Sequence, residues 1–376
     1  MRCITKKNLS DSASPEFTVR VDSGFLFIGV IRKALILLVF FTLPVSLLTG
    51  QTVFGKYAGE FMAIGVGGRA LGMGGAYAAL ANDATAGYWN PAALTRVNYP
   101  EIMIMHDERF GSLVNYDYAS VAIPYGPKAS LAFSVIRLGI DGIPDTRGSW
   151  VDVNGNGLFD DNNRPDYDQI TYFNAADWAL YLSYAYKSSG DFSYGGNVKL
   201  IRRDLADQSA MGIGFDVGVL YSPLPDLYVA LNAQDITTTL VAWSTGRNEL
   251  ITPTLKFGSA YFIDFFGGRL APALDLDVRF EHRRYASIAY VYIPGIGAAS
   301  IDTHFGVEYD YKNIVAVRLG YNDVRQFTVG AGVHLRKLDI DYSFARFGTE
   351  ADNLGDTHRI SLRLKLEEEK YARRAE

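Results

Sequence analysis

The sequence predicts an all-β membrane protein, an antiparallel transmembrane β-barrel of about fourteen strands preceded by an N-terminal Gly-rich plug segment. Three observations lead to this prediction. The chain begins with an apolar export signal, and apolar and polar residues alternate over residues 101–366. The composition combines 37 Gly, 24 Tyr and 22 Phe with a mean hydropathy of only +0.03. A helical membrane bundle would instead contain several long apolar runs.

Charge and cysteine content exclude several classes of protein. The 36 Lys and Arg residues face 41 Asp and Glu residues, which gives a net charge of −5 and argues against binding to nucleic acid through phosphate contacts. A single cysteine, Cys3, rules out a disulfide framework and any site built from several thiols.

The N-terminal residues 1–50 read as an extension followed by a signal peptide. Residues 34–48 form an apolar run that follows Arg32 and Lys33. A transmembrane anchor is the alternative to a signal peptide, but the run is short for a membrane span. We expect translation to start near Val30 and cleavage to fall near Gly50. Removal of residues 1–50 takes away six basic and three acidic residues, which leaves 30 basic against 38 acidic and a charge of −8.

Residues 100–366 have the period-2 alternation of β-strands. In one strand Val315, Val317 and Leu319 share an apolar face, while Ala316 and Arg318 lie on the other. A soluble β-sandwich would alternate in the same way. The export signal, the absence of a domain break and the recurrence of aromatic residues at strand ends favour the barrel. Residues 286–300 fit either a loop or a strand, and residues 367–376 form a charged tail.

If the apolar faces meet lipid, charged residues point into the lumen. The predicted inward residues are Arg279, Glu281, Glu308, Arg318, Asp339, Asp341 and Arg363, with His334 and Arg336 beside them. Their sign tends to change from strand to strand, and buried charges require opposite partners. We therefore expect a ladder of charges along one wall, in which Arg318 contacts a carboxylate of a neighbouring strand.

The segment 51–99 does not alternate and is rich in Gly and Ala. Small residues permit close backbone approach and unusual dihedral angles, which suits a compact plug inside a barrel mouth. Gly-rich runs also bind phosphate, but the spacing of neither nucleotide-binding glycine motif is present here.

This segment resembles the signature of the PorV/PorQ family of outer-membrane barrels, which are related to FadL-type transporters of hydrophobic compounds. The residues that carry the resemblance are Arg69, Gly72, Met73, Gly74, Gly75, Asn82, Asp83, Trp89, Asn90 and Pro91. Two C-terminal stretches, 338–344 and 357–362, are similar to that family's last two strands. The resemblance implies a fourteen-stranded barrel with an N-terminal segment in the lumen. It also implies a role in type IX secretion or in the passage of hydrophobic compounds.

One loop matches the first half of a calcium-binding loop. Oxygen ligands would come from Asp152, Asn154 and Asn156, from the backbone carbonyl of Leu158, and from Asp160. The twelfth position is Asn163 rather than the usual Glu, and a polar loop built of turn-forming residues explains the pattern equally well. Calcium is the one cofactor that the sequence suggests.

The sequence does not predict an enzyme, because its five histidines are scattered and no nucleophile elbow is present. We expect the chain in the outer membrane of a Gram-negative-type bacterium, in contact with lipid. Two roles remain open. A type IX secretion component that binds or shuttles exported cargo would have a filled lumen and an exposed apolar patch at the loops. A FadL-like passive transporter of hydrophobic small molecules would have an apolar pocket beside the plug and a lateral gap in the wall.

Overall fold

The structure is a computed structural model that describes residues 59–157, 161, 163–246, 248–280, 289–293, 297–346 and 356–373. The predicted export signal, residues 1–50, and the first part of the predicted plug, residues 51–58, lie outside the described residues. So do three predicted site residues, Leu158, Asp160 and Glu281.

Short helical turns come first in the described chain, and strands follow. The helical elements are α1 Glu60–Ala63, α2 Gly68–Gly72 and α3 Ala86–Trp89, with 3₁₀ turns at Pro91–Arg96, Tyr167–Gln169 and Glu369–Tyr371. The strands are β1 Glu101–Arg109, β2 Val114–Tyr125, β3 Ala129–Asp145, β4 Trp150–Asp152, β5 Asn163–Pro165, β6 Thr171–Ser189, β7 Phe192–Leu205, β8 Gln208–Leu224, β9 Leu227–Gln234, β10 Thr239–Trp243, β11 Asn248–Ile251, β12 Thr254–Tyr261, β13 Ile263–Phe265, β14 Gly268–Arg279, β15 Ala289–Ile293, β16 Gly297–Tyr311, β17 Val315–Tyr321, β18 Phe327–His334, β19 Leu338–Arg346 and β20 Thr357–Lys365.

The strands close into an antiparallel barrel, which confirms the predicted fold class. The first strand pairs with the last, with Glu101 opposite Lys365 and Glu108 opposite His358. Some strands of the wall are interrupted, so that consecutive segments occupy one strand position. These are β9 with β10, β11 with β12 and β13, and β14 with β15. The described wall therefore has fourteen strand positions, and β4 and β5 form a separate hairpin. Closure gives each of the fourteen strand positions a paired neighbour on both sides, and a bilayer requires backbone groups to be paired in this way.

The two faces of the wall differ in polarity. In β17 the side chains of Val315, Val317 and Leu319 are exposed, whereas Ala316 and Arg318 are buried. Exposed Val, Leu, Ile and Phe side chains recur on the other strands, so the outer surface is apolar and suited to lipid. No helix among the described residues combines the length and the apolar run needed to cross a membrane.

Connection lengths distinguish the two ends of the barrel. At one end, which we call the turn end, the connections are two or three residues long, as at 126–128, 190–191 and 225–226. At the other, the loop end, residues 146–170 join β3 to β6 and include the β4–β5 hairpin. In bacterial barrels short turns face the periplasm and long loops face outward. The turn end is therefore the periplasmic end.

The structure corrects or completes three details of the sequence reading. Within residues 286–300, Ala289–Ile293 is strand β15 and β16 begins at Gly297. The last strand ends at Lys365, one residue before the predicted end. The prediction that Arg336 points into the lumen is wrong: β18 ends at His334, so Arg336 lies in the following turn, and it is exposed to solvent.

Candidate functional site

Residues 59–97 lie inside the barrel and pack against its wall. Four glycines give this segment its sharp path, because Gly65, Gly67, Gly74 and Gly75 all have positive φ. At Gly74, where φ is +65°, a Cβ would lie 2.5 Å from the backbone nitrogen of Tyr321. Only glycine satisfies both the left-handed backbone and the close approach. We call residues 59–97 the inner segment.

The wall in turn makes room for the inner segment with glycines of its own. A Cβ on Gly320 would lie 2.2 Å from the backbone nitrogen of Gly74, and one on Gly306 would lie 2.4 Å from the carbonyl oxygen of Met73. A Cβ on Gly218 would meet the side-chain oxygen of Asn90 at 2.2 Å. Sequence analysis did not single out these wall glycines. A Gly at an inward-facing position of an alternating strand is the sequence feature that could have identified them.

A buried cluster of four charges joins the inner segment to the wall. Arg69 donates from Nε and from a terminal nitrogen to both carboxylate oxygens of Glu308, at 2.8 and 2.7 Å. Arg318, which lies opposite Glu308 in the ladder, donates to Glu308 at 2.6 Å and to Asp341 at 2.7 Å. Arg318 reaches Asp341 across β18, where a Cβ on Gly332 would lie 2.5 Å from that carboxylate. Four of the predicted site residues, one from the motif and three from the charge ladder, therefore meet in one cluster.

The other charges of the predicted ladder form separate groups. Arg363 donates to Asp339 through Nε at 2.8 Å and lies 3.6 Å from Glu101. Arg279 lies 3.7 Å from Asp302 and 3.4 Å from Asp323. In the part of the wall that the structure describes, the predicted ladder of charges is thus divided into separate groups of ion pairs.

A second cluster lies around Asp83, within the inner segment. The Tyr77 hydroxyl donates to one carboxylate oxygen at 2.7 Å, and the backbone N–H of Thr85 donates to the other at 2.9 Å. Burial opposes ionisation of Asp83, but the nearby guanidinium groups of Arg363 and Arg69 outweigh it and hold the pKa of Asp83 below its usual value. Asp83 is therefore an anion that fixes the fold of the inner segment.

Wall side chains also satisfy backbone groups of the inner segment, and no pattern in the sequence predicts these contacts. Asp275 accepts the backbone N–H groups of Tyr77 and Ala78 at 3.0 and 2.9 Å. The amides of Asn197 and Asn232 donate to the carbonyls of Gly87 and Trp89 at 2.8 and 3.0 Å. Those carbonyls belong to helix α3, whose last turn has no intrahelical partners for them.

The motif residues near Pro91 stabilise the turn that follows α3. Asn90 accepts the backbone N–H of Ala92 at 3.1 Å and donates to the carbonyl of Val219 on β8 at 3.0 Å. Pro91 opens the 3₁₀ turn, where its fixed φ is suitable and its missing N–H is not needed. The Trp89 indole donates to the carbonyl of Val66 at 2.9 Å.

A cavity of about 510 Å³ opens beside the inner segment at the loop end. Its apolar lining comes both from the inner segment and from the wall. The apolar side chains that line it are Phe61, Met62, Ile64, Leu71, Tyr88, Trp89, Leu138, Tyr181, Leu250 and Ile251. Volumes of about 300–1,000 Å³ are usual for small-molecule sites.

Most of the charged groups that line this cavity form ion pairs with neighbours. Lys199 lies 2.8 Å from Asp216 and 2.5 Å from Asp235, and Lys256 lies 2.7 Å from Asp277. The same holds for Arg203 with Asp177 and for Arg359 with Asp107. The cavity surface therefore combines an apolar part with a polar part that carries little net charge.

The wall beside the cavity is interrupted in two adjacent strands at the same level. The ladder between β9 and β12 ends at Gln234 opposite Thr254, and the ladder between β10 and β11 ends at Thr239 opposite Ile251. Among the described residues, no ladder pair joins 235–238 to 252–253. Gln234, Asp235, Ile251, Thr252 and Thr254 all line the cavity. An interruption of the described ladder thus borders the cavity.

The predicted calcium loop is described only in part. Asp152 accepts the backbone N–H groups of Gly155 and Gly157 at 2.8 and 2.6 Å, and the bond from Gly157 chiefly holds the pKa of Asp152 below its usual value. Asn154 accepts the backbone N–H of Asn156 at 3.4 Å. No group of three or more His, Cys, Asp or Glu side chains with metal-binding geometry occurs among the described residues, which do not include Asp160. Calcium binding stays a prediction.

No protein-family model matches this chain, and neither does any curated protein. Among solved structures it is similar to the toluene transporter TbuX of Ralstonia pickettii, with 15% identity, 80% of this chain and 98% of that chain covered, and a TM-score of 0.51. The two chains share a fold. A FadL homologue of Pseudomonas aeruginosa matches at 13% identity, with 84% and 100% coverage and a TM-score of 0.48. The toluene transporter TodX of Pseudomonas putida matches at 12% identity, with 83% and 98% coverage and a TM-score of 0.46.

Together with the apolar outer surface, the shared fold confirms that the chain is a β-barrel of the Gram-negative outer membrane.

Proposed function

We propose that this protein admits small uncharged hydrophobic molecules into the outer membrane. The observation that carries the proposal is the cavity of about 510 Å³ at the loop end, which is lined by aromatic and aliphatic side chains. Apolar contacts bind such a ligand, and most of the charges around the cavity are already paired within the protein. No catalytic chemistry is part of this proposal.

The position of the wall interruption supports the same function. A molecule in the cavity lies next to residues 235–238 and 252–253, where no ladder hydrogen bonds need to break for the strands to separate. The inner segment blocks the straight route along the barrel axis. We propose that the ligand leaves sideways, between β9–β10 and β11–β12. The protein of the same fold from Ralstonia pickettii is a toluene transporter, and we propose cargo of the same class.

The test is uptake of radiolabelled toluene by cells that carry the protein in their outer membrane. Leu138→Trp places a large ring in the cavity, whereas Leu131→Trp makes the same change on the lipid-facing side of the same strand. We expect Leu138→Trp to lower the initial uptake rate several-fold and Leu131→Trp to leave it unchanged at equal amounts of folded protein. Equal rates for the two variants, or no uptake above that of cells without the protein, would refute the proposal.

A second candidate function, partnership with type IX secretion machinery, has one observation in its favour. The segment around the β4–β5 hairpin exposes apolar side chains at the loop end: Trp150 is 44% exposed, Val153 62% and Tyr167 78%. Such a patch suits a protein contact. Cross-linking to translocon subunits or exported cargo in native membranes, lost on Trp150→Ser and kept on Leu113→Ser, would support it. Toluene uptake without any such cross-link would leave only the transport role.

A further inference from the structure

A second cleft, of about 850 Å³, lies at the turn end, on the opposite side of the inner segment from the first cavity. Its lining is mostly polar and includes four cations, Arg96, Lys128, Lys187 and Arg373. Among the residues that the structure describes, Asp191 is the one carboxylate in this lining. This ratio contrasts with the balanced charges around the first cavity.

Arg96 is held in place without a carboxylate partner. One terminal nitrogen donates to the carbonyls of Ala79, Leu80 and Ala81 at 3.0–3.1 Å, and the guanidinium stacks on the ring of Tyr228 at 4.2 Å. Its Nε and its other terminal nitrogen have no acceptor among the described residues. Burial lowers the pKa of Arg96 to about 10, as expected for a cation that lacks a counter-ion. The guanidinium is thus oriented and still has donors to offer.

Arg373 adds positive charge in a different way. All of its guanidinium nitrogens donate to neutral acceptors, which are the carbonyls of Val97, Pro127 and Ala129 and the hydroxyl of Ser130. None of its partners in the described chain is a carboxylate, and burial lowers the pKa of Arg373. The donors of Arg373 are used within the protein, but no carboxylate in the described part of the chain neutralises its charge.

Lys187 contributes a solvent-exposed cation to the set. Its side chain is exposed at the end of β6, and it makes no ion pair with any described carboxylate. The hydroxyl side chains of Ser188 and Ser189 follow it in the same lining. The cleft therefore combines fixed positive charge, a flexible ammonium group and hydroxyl donors, which together can hold a carboxylate or a phosphate.

We propose that this cleft is a binding site for an oxyanion group, the carboxylate or phosphate of a small molecule on the periplasmic side. Leu220 and Tyr228 line one part of it and leave room for a small apolar body attached to that group. The site is separate from the loop-end cavity and does not depend on the function proposed for that cavity.

The experiment measures binding to the purified full-length protein in lipid nanodiscs by equilibrium dialysis. The probes are labelled benzoate, its neutral analogue benzamide and inorganic phosphate. We expect benzoate or phosphate to bind and benzamide not to bind, with weaker binding at high salt because the contacts are ionic. Lys187→Gln removes an exposed charge and should weaken oxyanion binding about fivefold without affecting the fold.

Lys312→Gln is the matched control, because Lys312 occupies another short turn at the same end but does not line the cleft. It should bind the probes like the wild type. Arg96→Gln should weaken binding further, and folding of that variant is checked separately because Arg96 holds three carbonyls. Equal effects of Lys187→Gln and Lys312→Gln, or binding of neither benzoate nor phosphate above that of benzamide, would overturn the proposal. Leu138→Trp should leave oxyanion binding unchanged.

Discussion

Replacing Glu308 with Gln should release the inner segment from the wall. The Glu308 carboxylate accepts three hydrogen bonds from two arginines, Arg69 of the inner segment and Arg318 of β17, at 2.6–2.8 Å. The side chain is 5% exposed and that of Arg318 is 0% exposed. With Asp341, the four charges sum to zero, so Glu308→Gln leaves a net positive charge in a buried place. The amide also offers only one acceptor oxygen where the carboxylate has two.

The expected magnitude follows from these contacts. Breaking a buried ion pair by removing one partner costs about 3–5 kcal/mol. Because each 1.4 kcal/mol is about tenfold in an equilibrium constant, the population with a detached inner segment should rise by roughly two to three and a half orders of magnitude. Arg69 keeps one bond to Asn82 at 2.6 Å, which places the effect toward the lower end of this range.

The measurement is chemical unfolding in detergent micelles, followed by the fluorescence of Trp89 in a background where Trp150, Trp178 and Trp243 are replaced by Phe. Trp89 is only 3% exposed, so its emission reports on whether the inner segment is docked. Glu108→Gln is the control, because that side chain is 54% exposed. Arg69→Met combined with Glu308→Gln should recover part of the loss, since it removes the cation that Glu308→Gln deprives of its carboxylate, whereas Arg318 keeps Asp341. A loss below about 1 kcal/mol for Glu308→Gln would refute the reasoning, because that is the size of an exposed ion pair.

Three further predictions concern the same contacts. Gly320→Ala should destabilise the protein by about 1–3 kcal/mol in thermal unfolding, because its Cβ would lie 2.2 Å from the Gly74 nitrogen, whereas Gly148→Ala, with nothing within 4 Å, should have no effect. Asp275→Asn should cost roughly 1.5–3 kcal/mol because the carboxylate accepts two backbone N–H groups, and a change within error of the wild type would count against that anchoring role. Because the folded-state pKa of Asp83 is lowered, its contribution should be complete above the ordinary carboxyl pKa of about 4 and disappear as the pH falls through the folded value. Asp83→Asn should therefore flatten the acid limb of the stability–pH curve, and an unchanged limb would argue against the assignment.

The wall could be predicted from the sequence because its signal is local. Val315, Val317 and Leu319 alternate with Ala316 and Arg318, and that period alone fixes which side chains face outward once a barrel is assumed. The strand interruptions could not be predicted in this way. Residues 236–238 read Ile-Thr-Thr, β-branched types that favour a continuous strand, yet the chain leaves the ladder there and rejoins it at Thr239.

The contacts of the inner segment were beyond sequence reasoning for a different reason. Asp275 binds Tyr77, which is 198 residues away, and Thr328 donates to the carbonyl of Gly72 across 256 residues. No local pattern specifies such partners. The cavities depend on these contacts as well, since their shape is the space that remains after the inner segment has docked. A partial signal was present in the inward glycines of the wall, such as Gly306, Gly320 and Gly330.

Arg373 has a consequence for how the barrel is assembled. Its acceptors are Val97, which precedes the first strand, Pro127 in the turn between β2 and β3, and Ala129 and Ser130 at the start of β3. Arg373 itself follows the last strand, so it can reach them only after β20 has joined β1. We therefore expect its hydrogen bonds to form together at a late stage of folding, and to stabilise only a barrel whose first and last strands are paired. The C-terminal residues therefore stabilise the barrel only once β1 and β20 are paired. In a barrel in which these two strands are not paired, we expect the C-terminus to be undocked and sensitive to protease.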